Sequence, residues 1–478
     1  GPGRAKIDVD SVDHTDDYIH LRKWIKRIGI ILRISGHWPF RLPHEKRNQH
    51  KSKFRQVYSC LVITLGFITC SCYCIGLCLS ESIAQALNNI TVTSYFLQSC
   101  VCYVSFIINS RKLETLFNYL FENEVVGCPR GYKMSSIKTT LFRCKFVAFS
   151  LGILSFFGWL MWTLLPLAVL VVDSGATGGG NQTSLRFVEA WYPFDTTTSP
   201  MNEVIAIYEA VAMIFLITAP MSSDIMFCVL MIFIVEHLKC LGMAIECTLK
   251  GISTNQHQNI GFDDSVSDVN VQRRIVIGKE SPIQSIHVPI KECSRQSSDA
   301  VFREKRHGTH HQIIRSHNYT DATSLCNIVD SHVKIYRTME IVQSVYSSYF
   351  ATLFFTSCLA VCALAYFLAA TSTSFTRVPG MVLYLMYIFL RIFLLCLLAT
   401  EVAEQGLNLC HAGYSSKLVL ASDHVRSTIQ AIATRAQIPL SITGARFFTV
   451  NLSFLASMAG VMLTYFIVLL QVNAKPKP

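Results

Sequence analysis

Lys51-Ser52-Lys53-Phe54-Arg55 runs almost directly into an uncharged apolar stretch over 57–79, and this junction decides how the chain is threaded. A run of that length crosses the ~30 Å hydrocarbon core of a bilayer, which needs about twenty helical residues. More cations lie upstream (Arg22, Lys23, Lys26, Arg27, Arg33, Arg41, Lys46 and Arg47), and a basic flank stays on the cytoplasmic side. Working outward, six further apolar stretches lie at 90–109, 146–172, 204–223, 346–370, 381–400 and 447–470. Arg111, Lys112, Arg130, Lys133, Lys138, Arg143 and Lys145 crowd the second connection, whereas the first, third and fifth hold only Arg186 and Arg377. The N-terminus is therefore read as cytoplasmic and, after seven spans, the C-terminus as extracellular. G-protein-coupled receptors have the reverse orientation.

The composition agrees with a polytopic membrane protein: 51% hydrophobic residues, only 15% charged, and a mean hydropathy of +0.38. A soluble domain carries nearer a quarter charged residues. The formal charge of +11 sits in loops that face anionic headgroups, so no nucleic-acid partner is expected. Most of the eighteen cysteines fall inside apolar segments, where cysteine behaves as a small hydrophobe. No disulfide framework, metal site or cofactor is expected. Gly1-Pro2-Gly3-Arg4 has the pattern of a protease-cleavage scar and is set aside. No cleavable signal peptide is expected after it, because Arg22, Lys23, Lys26 and Arg27 interrupt the stretch 21–32, which reads as an amphipathic cytoplasmic helix.

The organisation expected is a cytoplasmic segment over 5–56, four spans with an extended fourth helix over 57–250, and a disordered cytoplasmic loop over 251–318. The fifth and sixth helices with cytoplasmic anchor helices occupy 319–446, and a last span with a short outer tail occupies 447–478. The fourth apolar run continues to 235 and stays helix-compatible to about Lys250, with a kink expected at Pro220. If 204–223 spans, 225–235 projects into the cytosol and must bury its apolar surface there. Strongly tilted helices are the alternative. Of four sequons, Asn89 and Asn181 fall in predicted outer loops and are the expected glycosylation acceptors, whereas Asn318 is cytoplasmic and Asn451 intramembrane.

Several helices put aromatic and small residues at one depth. Val92, Tyr95 and Phe96 share a face of the second span, as do Ser155, Gly158 and Trp162 of the third, Met213 and Ile217 of the fourth, and Tyr384 and Tyr387 of the sixth. At 1.5 Å per residue most of these lie about 5–20 Å below the outer surface. They converge either as a ligand pocket or as ordinary helix packing. No acid or base is among them, so a pocket here takes small, largely apolar molecules, with one hydroxyl or carbonyl reaching Ser155 or a tyrosine. Arg391 lies on the Tyr384–Tyr387 face near mid-membrane. Facing lipid would cost it roughly 2.5–3.5 kcal/mol or more, so it pairs either with a ligand or, preferentially, with a carbonyl or acid on another helix.

Two motifs carry a family resemblance. Trp191-Tyr192-Pro193-Phe194-Asp195, before the fourth span, resembles a motif found there in insect odorant receptors. Thr464-Tyr465-Phe466-Ile467-Val468-Leu469-Leu470-Gln471-Val472 is similar to the terminal signature of the insect gustatory and odorant receptor superfamily, Thr-Tyr, five hydrophobics and Gln-Phe, with Val472 in place of Phe. The resemblance covers nearly the whole chain and is nearest to broadly tuned members that act without a coreceptor. It implies an all-α membrane protein with seven transmembrane helices, helices four to seven extending into a cytoplasmic helical domain. It further implies a homotetrameric, odour-gated, nonselective cation channel in the plasma membrane of olfactory neurons, whose seventh helices line one pore. Its partners would be small volatile ligands, the bilayer and copies of itself, a coreceptor subunit being left open.

Within that picture, rings of Leu469, Gln471 and Val472 close the outer end of the pore. Valine closes it by dewetting and glutamine admits ions when the helix turns; the bland reading is that these residues only cap the helix. A gustatory-type channel for a polar tastant and a metabotropic receptor remain the alternatives. The chain has no Asp-Arg-Tyr after the third span, no Asn-Pro-x-x-Tyr in the seventh, no inverted repeat of the transporter kind, and no paired catalytic groups of an enzyme.

Overall fold

A computed structural model of the chain describes residues 9–36, 49–80, 83–121, 137–158, 160, 190–194, 201–260, 309–370, 378–414, 418–419 and 421–474. The helices are α1 (Val9–Ile34), α2 (Gln49–Cys78), α3 (Ile83–Ile108), α4 (Ser110–Phe121) and α5 (Ile137–Gly158). Then follow α6 (Met201–Ile260), α7 (Thr309–Ala370), α8 (Val378–Gly413), α9 (Asp423–Ala436) and α10 (Leu452–Ala474). Among the described residues, six helices are long and apolar enough to cross a membrane, and α10 contributes a shorter apolar stretch, Leu452–Val468.

The amphipathic reading of 21–32 holds: Leu21, Ile25, Ile28 and Leu32 form one buried stripe of α1, with Arg22, Lys23, Lys26 and Arg27 exposed between them. That stripe belongs to the same core as the inner half of α6. At 60 residues α6 is about 90 Å long, three times the ~30 Å hydrocarbon core. Every residue over 225–235 is at most 3% exposed. A helix apolar all round must be enclosed on every side, and α1, α4, α7 and α8 all pack against α6. The helices also reach farther than 251 and 318: α6 runs to Ile260 and α7 starts at Thr309, because adding a turn to an existing helix is cheap even for polar residues. The rest of the expected loop, 261–308, lies outside the described residues.

Pro220 sits inside α6 without ending it. A proline has no N–H, which leaves the carbonyl four residues back without its helical donor. The Ser99 hydroxyl of α3 donates to that carbonyl, Leu216 O, at 2.7 Å. The backbone defect thus becomes a tie between α3 and α6.

Between α9 and α10 the chain makes a small hairpin. β1 (Thr443–Gly444) pairs antiparallel with β2 (Phe448–Thr449). Ala445 and Arg446 take positive φ of 45° and 65°, which a tight right-twisted hairpin requires even of non-glycine residues. Gly444 is needed for a different reason: a Cβ there would stand 2.3 Å from the Phe448 ring. The hairpin is fastened to α7, since Ala445 N donates to Ser347 O at 3.1 Å. Gln343 brackets Thr443, accepting from its N–H at 2.7 Å and donating to its carbonyl at 3.1 Å.

On the inner side, Arg143 of α5, Glu236 and Lys239 of α6 and Glu401 of α8 form one ionic cluster. Arg143 pairs with both carboxylates, and Lys239 reaches Glu236 at 3.1 Å and Glu401 at 3.8 Å.

Candidate ligand cavity and pore helix

The structure brings nine of the ten expected pocket residues to one cavity. Val92, Tyr95 and Phe96 of α3, Ser155 and Gly158 of α5, Met213 and Ile217 of α6, and Tyr384 and Tyr387 of α8 line it, joined by Thr91. Trp162 lies outside the described residues. These side chains border one small, predominantly apolar space. Helical spacing explains the convergence, because residues three or four apart stack on one face. A Cβ added at Gly158 meets nothing within 4 Å, so this glycine faces open space. Thr91 was missed, although its spacing of four from Tyr95 puts it on the same helix face.

The lining is apolar and aromatic with a few hydroxyls. Tyr95 and Tyr387 approach at 3.4 Å between hydroxyl oxygens, and the Tyr384 and Tyr387 rings stack at 6.3 Å. Among the described lining residues none is charged, so a charged guest would lose its hydration without compensation from them.

Arg391 does not line the cavity. It is 3% exposed and points one turn inward, where Nε donates to Asp224 Oδ2 at 2.5 Å, Nη1 to Gln98 Oε1 at 3.2 Å and Nη2 to the Tyr349 hydroxyl at 2.7 Å. Of the two roles left open by the sequence, the structure shows the structural one. The acid was visible as well: Asp224 is the sole acidic residue between Ala210 and Val235.

The outer wall is held by the Trp191 motif. Trp191 N donates to Cys72 O at 3.2 Å, and the Tyr192 hydroxyl donates to Glu209 Oε1 at 2.9 Å. Burial, and then the adjacent Glu209 carboxylate, raise the Tyr192 hydroxyl above its ordinary pKa and keep it a donor. Ala190 packs into a core with Tyr73, Val92 and Phe96, so the motif backs the same side chains whose other faces line the cavity.

Asn89 is placed differently from expectation. It lies within α3 rather than a loop, 1% exposed, with its amide turned towards Gly76 O at 3.5 Å. Asn181 lies outside the described residues. Asn451 stands just before α10 rather than inside it and caps the helix, Oδ1 accepting from Phe454 N at 2.7 Å.

α10 carries Leu469, Gln471 and Val472 in its last two turns. Gln471 is exposed, and the side chains of Leu469 and Val472 lie outside the described residues. Ser457 and Thr464 donate back to Ser453 O and Gly460 O at 3.0 and 2.9 Å. Val461, Leu463, Tyr465, Ile467 and Val468 are exposed, Val461 at 71%, an uncovered apolar face of the kind that meets lipid or another chain.

A model of the seven-transmembrane odorant receptor family matches residues 82–462. Odorant receptor coreceptors are similar along most of the chain: that of Harpegnathos saltator is 20% identical, covering 93% of this chain and 96% of the relative, and that of Anopheles gambiae is 21% identical over 82% and 86%. Among solved structures, the olfactory receptor OR5 from Machilis hrabei in complex with eugenol is 83% identical, with a TM-score of 0.76, covering 96% of this chain and 100% of OR5. A second OR5 structure, described without a ligand, is 82% identical with the same score. These likenesses favour neither a gustatory nor a metabotropic receptor. The chain belongs to the seven-transmembrane odorant receptor family.

Proposed function

We propose that this chain is an odorant-gated, nonselective cation channel that opens when a small, largely apolar volatile binds between α3, α5, α6 and α8. The observation that carries the reading is the uncharged cavity, in a chain 83% identical to an olfactory receptor solved with eugenol. Eugenol-like phenols suit its chemistry: an aromatic ring would meet Tyr95, Phe96 and Tyr387, and a hydroxyl would have Ser155, Thr91 or Tyr384 as candidate partners. Apolar and ring contacts are weakly directional, so tuning is broad.

The channel is a homotetrameric multi-pass protein of the olfactory neuron membrane, its basic N-terminal segment inside. The uncovered α10 face supports packing around a shared path, where Leu469, Gln471 and Val472 form the outer gate. Because the curated relatives are coreceptors, a mixed assembly is the second reading. The two are separated by reconstituting the purified chain alone in planar bilayers without nucleotides or G protein. Eugenol-evoked unitary currents support the homomeric channel; currents only after adding a coreceptor support the mixed one; none in either case defeats both.

A further inference from the structure

The cavity and the start of the pore helix are joined by one buried polar network. Gln98 follows Tyr95 by three residues on α3, Arg391 follows Tyr387 by four on α8, and Asp224 follows Ile217 by seven on α6. At helical spacing each lies on its cavity neighbour's face, one or two turns inward. The fourth member, Tyr349, comes from α7 and donates to Asp224 Oδ1 at 2.5 Å. Arg391 and Asp224 are 4% and 1% exposed as side chains. Each nitrogen of the guanidinium and both oxygens of the carboxylate are engaged.

Such a network is a poor way to gain stability. Well-packed apolar residues of equal volume often serve as well or better, because two buried charges forfeit their hydration. What it supplies is register: four helices meet at one directional, many-partner contact that is either made or broken. The two helices that carry Tyr349 and Arg391 also hold the entry to α10. Phe354, five residues beyond Tyr349 on α7, packs edge-on against Phe448 and Phe454, both at 5.0 Å. Thr400, nine residues beyond Arg391 on α8, accepts from Leu452 N at 3.0 Å, the first backbone donor of the pore helix.

We propose that Arg391 and Asp224, with Tyr349 and Gln98, are positioning residues that pass ligand occupancy from the cavity to the pore helix. A guest that moves Tyr95 or Tyr387 shifts the turn on which Gln98 or Arg391 sits. The network converts that shift into a joint movement of α7 and α8, and α10 follows through Phe354 and Thr400. The proposal rests on the odorant-gated reading above.

The test uses the full chain in planar bilayers with eugenol as the probe. It reads two quantities, the half-activating concentration and the ratio of open probability at saturating ligand to that without ligand. Tyr349→Phe keeps the ring and deletes the hydroxyl shared by Arg391 and Asp224; Asp224→Asn keeps shape and removes the charge. Both are expected to lower the ratio by about fivefold or more, the scale of a lost allosteric coupling, whether by raised basal or reduced maximal opening. Gly158→Leu, a cavity lesion, is expected to shift the half-activating concentration for eugenol. If Asp224→Asn fails to assemble, Tyr349→Phe decides alone. Network variants that keep the wild-type ratio, with or without a shifted concentration, overturn the proposal. A wild-type chain silent to eugenol, alone and with a coreceptor, overturns the channel reading and the proposal together, so the two failures are told apart.

Discussion

Along α6, Met213 and Ile217 border open space, whereas a few turns farther inward every side chain from 225 to 235 is sealed. One continuous helix therefore carries a compliant outer segment and a rigid inner one. Their chemistry differs less than their surroundings: both are rich in aliphatic residues, and neighbours that include α1, α4, α7 and α8 close the second. A closely packed region transmits displacement and an open one accepts a guest. The two kinds of packing suit a receptor on one side and a lever on the other.

The contrast is broken most severely by emptying the inner segment. Phe227 is fully buried, its ring 4.8 Å from Phe350 and 5.2 Å from Tyr346. Phe227→Ala is expected to cost about 3–5 kcal/mol, read as a large fall in the melting temperature of the detergent-solubilised protein. Ile217→Ala, beside existing space, is expected to cost about 2 kcal/mol or less, the low end for such truncations. Equal losses would erase the distinction between the two regions.

The ionic groups sharpen it next. Asp224→Ala strands a buried guanidinium, an expected loss of about 3–5 kcal/mol. Glu401→Gln acts on the cluster around Arg143, where the two side chains are 24% and 27% exposed. There the expected loss is about 1 kcal/mol or less and shrinks further in high salt. Melting curves at low and high salt check both. The smallest effect belongs to Ser155→Ala: about 0.5–1.5 kcal/mol for ligands that bear a hydroxyl, and none for their purely apolar analogues. Paired concentration–response curves measure it.

The two regions also differed in how plainly the sequence announced them. Nine of the cavity's lining residues were legible as shared helix faces, because helical periodicity fixes which side chains stack and the basic loops fix which helix ends share a level, but the open space between them was not. The inner burial of 225–235 was legible as a need, since apolar surface outside the bilayer must be covered, but not as a contact. The stripe Leu21, Ile25, Ile28 and Leu32 was visible without its destination. Arg391 declared its need for a partner, yet choosing Asp224 over a carbonyl required the crossing of α6 and α8. The hairpin at 443–449 was illegible for a clear reason: Ala445 and Arg446 adopt positive φ against their own preference, held there by Gln343 and Ser347 of a distant helix. The placement of Asn89 in a loop was wrong because its sequon is a local pattern, whereas its burial within α3 depends on packing against α2.

The central claim is that occupancy of the outer cavity opens the pore, and cavity size is its most direct handle. The measurement is the activation of wild type and Gly158→Leu by a homologous series of volatile alcohols. Because the added side chain enters open space at Gly158, the longest activating alcohol is predicted to become shorter while short alcohols keep their potency. An unchanged cutoff, with both channels responding alike along the whole series, would contradict the account.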